Sequence, residues 1–181
     1  MALIPFPEPA STDDLRGLLL DYLDFYRAVV CAKAQGLSAE QLATSVVPSG
    51  WTPVGLLNHL TFMERRWLQW GFMAEAVDDP WGDSEGDGWR TPPEGLPELA
   101  ARLERVGQRT REIVEAHRLE DRASVGGRFQ AGGPPPPQLQ WILLHVLQEY
   151  ARHAGHLDIA RELADGVVGE VSDGRDHGGE E

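Results

Sequence analysis

The stretch Trp141-Ile-Leu-Leu-His-Val-Leu-Gln-Glu-Tyr-Ala-Arg-His-Ala-Gly-His-Leu-Asp158 decides how this chain folds. Ile142, Leu143, Val146, Leu147, Tyr150 and Leu157 recur at three- and four-residue steps, the pattern of a helix with one face in a core. At about 100° per residue, His145, Glu149, His153 and His156 share roughly one quadrant of that helix. The quadrant borders the apolar stripe, so these groups are drawn toward the interior, where unpaired polar atoms are costly. A bound metal ion would satisfy them; so would a hydrogen-bonded structural network.

Working outward, the rest of the chain reads as further amphipathic helices. Ser11-Thr-Asp-Asp14 offers N-capping oxygens for a helix that runs to about Gln35, with Gly36 as its left-handed stop. Leu37–Ser45 reads as a short helical turn capped by Ser38. Thr52-Pro53 starts a second long helix, cap then first helical position, that continues to about Ala76. Its inward stripe is Leu56, His59, Met63, Trp67 and Trp70. Leu96–Leu119 forms a third, with Leu99, Leu103, Val106, Ile113 and Val114 inward and arginine–glutamate pairs outward. Pro134–Pro137 leads stiffly into the last helix, with Pro137 in its first turn and its end near Gly166. No convincing strand run appears, so the expected fold is all-α, a four-helix bundle with long connections. Residues 1–166 form the expected domain; 167–181 form an acidic tail with the composition of a disordered segment.

Two irregular connections stand out. Asp78-Asp-Pro-Trp-Gly-Asp-Ser-Glu-Gly-Asp-Gly-Trp89 lacks the ligand placement of a calcium loop and reads as a solvated loop, its tryptophans folded back onto the protein. Val125-Gly-Gly-Arg-Phe129 lacks the Gly-Lys-Ser/Thr of a phosphate loop. Within it Arg128 is a candidate to meet an anionic substrate, set against an ordinary surface arginine.

Bulk properties exclude several function classes. The chain has 181 residues, 41% of them hydrophobic and 25% charged, ordinary for a globular domain. A formal net charge of −13 argues against nucleic acid or an anionic membrane as partner. Neither a secretion signal nor a membrane span is legible. Cys31 is the only cysteine, so no intrachain disulfide or thiolate cluster forms, which fits a reducing cytoplasm. It lies in an apolar helical stretch and reads as core packing. His117, near a helix C-terminus, reads as structural.

Glu149 and His153 are four residues apart and so lie one above the other on a single helix face, and His145 and Glu149 share the same geometry. One ion could be reached by both members of such a pair, with a third ligand from another helix. His59 is the inward ionisable residue that the pattern offers there. Three ligands of N, N, O type leave an open position, the arrangement of catalytic zinc sites. Zn²⁺ suits them, with Ni²⁺, Co²⁺ or Fe²⁺ as alternatives.

Leu56-Leu-Asn-His-Leu-Thr-Phe-Met-Glu-Arg-Arg-Trp67, followed by His145-Val-Leu-Gln-Glu-Tyr-Ala-Arg-His-Ala-Gly-His-Leu-Asp-Ile-Ala-Arg-Glu162, resembles the DinB-like superfamily. It is similar in particular to the actinobacterial branch of mycothiol-dependent S-transferases and maleylpyruvate isomerase. The resemblance implies a four-helix bundle with a long crossover, often dimeric, and a metal triad at the positions of His59, Glu149 and His153. The expected activity is conjugation of mycothiol to an electrophile, the ion stabilising the thiolate. His156 would accept a proton or support the ligands, and His145 and Asp158 would orient them. Trp67 and Trp70 either line an apolar substrate pocket or pack in the core. A hydrolase or isomerase with the same ion, and a non-catalytic metal- or ligand-binding stress protein, are the alternatives.

Overall fold

The computed structural model describes residues 14–168. The Pro-rich start, and the acidic tail apart from Val167 and Val168, lie outside the described residues. The helices are α1 (Leu15–Ala34), the short α2 (Ala39–Ala43), α3 (Pro53–Trp67), α4 (Leu96–Ala116) and α5 (Leu139–Asp165). A small antiparallel hairpin, β1 (Ser84–Glu85) with β2 (Gly88–Trp89), interrupts the first long connection. Among the described residues no helix is long and apolar enough to cross a membrane.

The four long helices form a ring in which α1 packs on α4 and α5, and α3 on the same two. Consecutive helices α1 and α3 therefore lie across the diagonal, as do α4 and α5, and the segments joining them cross the bundle. Leu23, Val30, Leu56, Leu60, Val114, Ile142, Leu143 and Val146 close the shared core. This is the all-α bundle the periodicity predicts.

Local signals set the helix ends. Asp14 accepts the Arg16 N–H at 3.1 Å, and Thr52 Oγ1 accepts the Gly55 N–H at 3.1 Å. Ser38 and Gln41 form a reciprocal capping box. Gly36 and Gly166 stop their helices at φ +89° and +77°.

Three boundaries differ from expectation, the first being that α4 ends at Ala116 and not at Leu119. The second long helix does not continue regularly to Ala76: after Trp67 it widens into a π-turn, Leu68–Phe72, and ends before Ala74 at φ +55°. The last helix starts at Leu139, after Pro137. The Pro137 carbonyl instead accepts the Ala123 N–H at 2.9 Å, and the Leu139 N–H is donated to Asp121 at 2.9 Å.

His59 is not the only inward ionisable residue on α3. Glu64 is fully buried and accepts from Arg27 Nε at 3.1 Å, Tyr150 at 2.6 Å and Thr110 at 2.5 Å, tying α3 to α1, α5 and α4. Burial and the Glu64 charge together push the Tyr150 phenol well above its ordinary range. Gly107 lets α4 pass close to this pair, since a Cβ there would lie 2.7 Å from Arg27 Nε. Cys31 packs against the core, and burial raises its thiol to about 11, far from the reactive thiolate.

Candidate metal centre

α3 delivers His59 and α5 delivers Glu149 and His153, with one donor atom from each within 4.8 Å of the other two. Ligands about 2.1 Å from a common ion lie at most ~4.2 Å apart, so a small side-chain adjustment would close the trio on one ion. His153 Nε2 is already 3.2 Å from a Glu149 oxygen. The residue types fit a divalent cation that accepts nitrogen and oxygen ligands.

The other ring nitrogens support this fit. His59 Nδ1 lies 2.9 Å from Asp83, a carboxylate only 1% exposed. Arg66 clamps that carboxylate through Nη2 at 3.1 Å and through a second, shorter bond from Nη1. His153 Nδ1 lies 3.1 Å from His156 Nδ1. Each imidazole thus has Nδ1 engaged and Nε2 left for an ion, the pattern of metal-binding histidines.

The electrostatics agree. Burial, then the charges of His59, His156 and Arg152, lowers His153 to about 3, so the ring is held neutral, the form that ligates. Burial would raise the Asp83 carboxyl, but the His59 and Arg66 hydrogen bonds and the Arg66 charge outweigh it and leave it below the usual range. His145 is lowered by burial, helped by Arg128 and opposed by Glu149.

Aromatic rings wall the site. Trp89 stacks on His59 with centroids 4.2 Å apart and meets His153 edge-on at 5.0 Å. Trp51 lies 6.4 Å from Trp89 and 6.0 Å from His156. On the other side His145 sits between Trp67 at 4.4 Å and Trp141 at 5.5 Å, its Nε2 3.7 Å from Glu149.

The expected site residues are therefore not all equally close. His145 and His156 both flank the triad. Trp67 touches His145, whereas the ring contact of Trp70 is with Trp81, at 6.4 Å. Arg128 lies 4.1 Å over the Trp67 ring. Asp158 does not orient the ligands; it is paired with Lys33 on α1.

Sequence reasoning missed Asp83 and Trp89. The acidic loop reads as solvated because nothing in its spacing marks one aspartate. The signal present was a pair of tryptophans bracketing Asp83, in a loop already expected to fold back.

The mycothiol-S-transferase family model matches residues 18–166, a span that includes nearly all of α1 and every later helix. No curated protein matches the chain. The chain belongs to the mycothiol-S-transferase family.

Proposed function

We propose that the protein is a metal-dependent thiol S-transferase that conjugates mycothiol to an electrophilic substrate. The observation that carries this reading is the convergence of His59, Glu149 and His153 with both Nδ1 atoms already engaged. These three residues would hold a divalent cation, most suitably Zn²⁺. Bound there, the cation would supply stabilisation of the thiolate, the nucleophilic form of sulfur.

The chain's own residues would do the rest. His153 donates from Nδ1 to His156 Nδ1, which leaves His156 protonated at Nε2; its part is then to orient His153. The thiol proton passes to His145, whose Nε2 stands outside hydrogen-bond reach of Glu149 at 3.7 Å. As the S–C bond forms, its counterpart electron pair leaves with the departing group. Trp67 borders His145 and offers the electrophile an apolar wall, which Trp70 extends through Trp81. We read residues 1–166 as the working domain and 167–181 as a tail, in a cytoplasmic protein. A homodimer would cover Leu144, Ile159 and Leu163, exposed along α5.

The test pairs metal analysis with turnover. Purified protein should carry close to one divalent ion per chain and conjugate mycothiol to a chloronitroarene. Chelation or His153→Ala should abolish both. Unchanged turnover in either case would exclude the mechanism.

A further inference from the structure

Among the half-buried and buried arginines of the described residues, Arg128 stands apart. Its guanidinium lies 4.1 Å over the Trp67 ring and 5.6 Å over Trp81, with no carboxylate or hydrogen-bond acceptor for the side chain among the described residues. Arg66 makes the contrast: it lies 4.5 Å over the same Trp81 ring but is neutralised by Asp83. A partly desolvated cation without a counter-ion is costly, and a chain of net charge −13 has carboxylates to spare for one.

The backbone is built to put Arg128 there. Its N–H is donated to the Trp70 carbonyl at 3.2 Å, in the π-turn, and the Gly126 N–H closes the loop on Phe129 at 2.9 Å. Gly127 is pressed so close that a Cβ would lie 2.1 Å from the Trp70 carbonyl oxygen. From Arg128 the path to the metal centre runs through two side chains. Trp67 lies 4.4 Å from His145, and His145 Nε2 lies 3.7 Å from Glu149.

We propose that Arg128 is a specificity residue that receives a carboxylate carried by the electrophile, whose apolar body lies along Trp67. The planar guanidinium matches a carboxylate in a paired, two-bond geometry. In a strongly acidic protein an anionic substrate needs a local cation to overcome the overall field, and Arg128 is a half-buried one beside the site that no carboxylate among the described residues neutralises. The inference rests on the transferase reading, but its binding half can be measured without turnover.

The experiment uses the full metal-loaded chain, Arg128→Met and Arg128→Lys. Calorimetry with two unreactive probes, 3-nitrobenzoate and 3-nitrobenzamide, reads the subsite directly. The wild type should prefer the carboxylate by about tenfold or more, the size of one charge-assisted hydrogen bond. Arg128→Met should lose the preference, and Arg128→Lys should keep part of it. Turnover with 4-chloro-3-nitrobenzoate and its amide should follow the same pattern in kcat/KM. In that reaction thiol sulfur bonds to the ring carbon, chloride leaves with the C–Cl pair, and the thiol proton passes through His145 to solvent. Equal binding of the two probes to the wild type would overturn the proposal. So would an equal loss for both probes in Arg128→Met, or an effect confined to the KM of the thiol. A carboxylate preference in binding, with neither chloroarene turned over, supports the subsite and overturns the transferase reading.

Discussion

His59 Nδ1 lies 2.9 Å from a carboxylate oxygen of Asp83, a residue 24 positions further along the chain in a different structural element. The pair joins the acidic loop to the candidate metal centre. Asp83 accepts from His59 and from Arg66 at once, so the His59 ring is held at a fixed tilt with Nδ1 protonated. Trp89, six residues on, completes the support by stacking on the same ring at 4.2 Å.

Asp83→Asn keeps the shape of this support and removes its charge. Metal affinity is expected to fall about 10- to 100-fold, the usual cost of losing a partner of a ligating histidine. Competition with a chromophoric chelator measures it. Affinity equal to the wild type would mean that the Asp83 contact holds the loop and does nothing for the ion.

Much of the bundle was legible because burial repeats along each helix. Thr52-Pro53, Ser38 and Gly166 mark helix ends by chemistry that acts within a few residues. Glu149 and His153 were legible for the same reason: a four-residue step is a local fact. His59 joined them by its place on an inward stripe. Asp83, Trp89 and Glu64 were not legible, since their partners lie on other elements. Glu64 sits beside Arg65 and Arg66 and reads as surface charge until Arg27, Thr110 and Tyr150 arrive from three other helices. The π-turn after Trp67 was not legible either; the residue that meets its Trp70 carbonyl, Arg128, lies far along the chain.

The metal-free protein is expected to lose stability as pH falls below about 6.5, the value of an unfolded histidine. His153 is lowered to about 3 by burial and by its charged neighbours, so between these values the unfolded chain binds a proton that the folded one refuses. Stability therefore falls with pH, fully present above about 6.5 and lost progressively toward about 3, by at most ~1.4 kcal/mol per pH unit for one group. His145, also lowered, adds in the same direction from the same upper limit. Asp83, held below its ordinary value, contributes only further down, below about 3.9. Urea midpoints of chelator-treated protein from pH 7 to 4.5 check this, and His153→Gln should flatten the slope. An unchanged slope would show that His153 is solvated without metal.

Removing one member of the buried ion pair should unfold the bundle more readily. Glu64→Leu removes the buried carboxylate from the Arg27 guanidinium and leaves it only the half-exposed Asp24, at 2.6 Å, a loss on the order of 3 kcal/mol. For a chain of this size that is roughly 10 °C in Tm. Adding Arg27→Met removes the stranded charge, and the double variant should recover part of the loss. A double variant no more stable than Glu64→Leu alone would mean that the hydroxyls of Thr110 and Tyr150, and not the charge of Arg27, set the cost.

Gly127→Ala should be far more damaging than a glycine-to-alanine change in a loop ordinarily is. The new methyl would lie 2.1 Å from the Trp70 carbonyl oxygen and 2.9 Å from Ala74 Cα, backbone atoms that cannot swing aside as a side chain can. The loop must lift from the π-turn, at about 1–3 kcal/mol, and carry Arg128 away from Trp67. Gly155→Ala provides the control of opposite sign. Its Cβ would meet nothing within 4 Å on α5, so the helix should gain about 0.5–1 kcal/mol. Metal affinity should hold in both variants, because the triad stands on α3 and α5 and not on the loop. Thermal melts with chelator competition separate the two effects. A Gly127→Ala protein as stable as the wild type would show that the loop sits further from the π-turn than these contacts require.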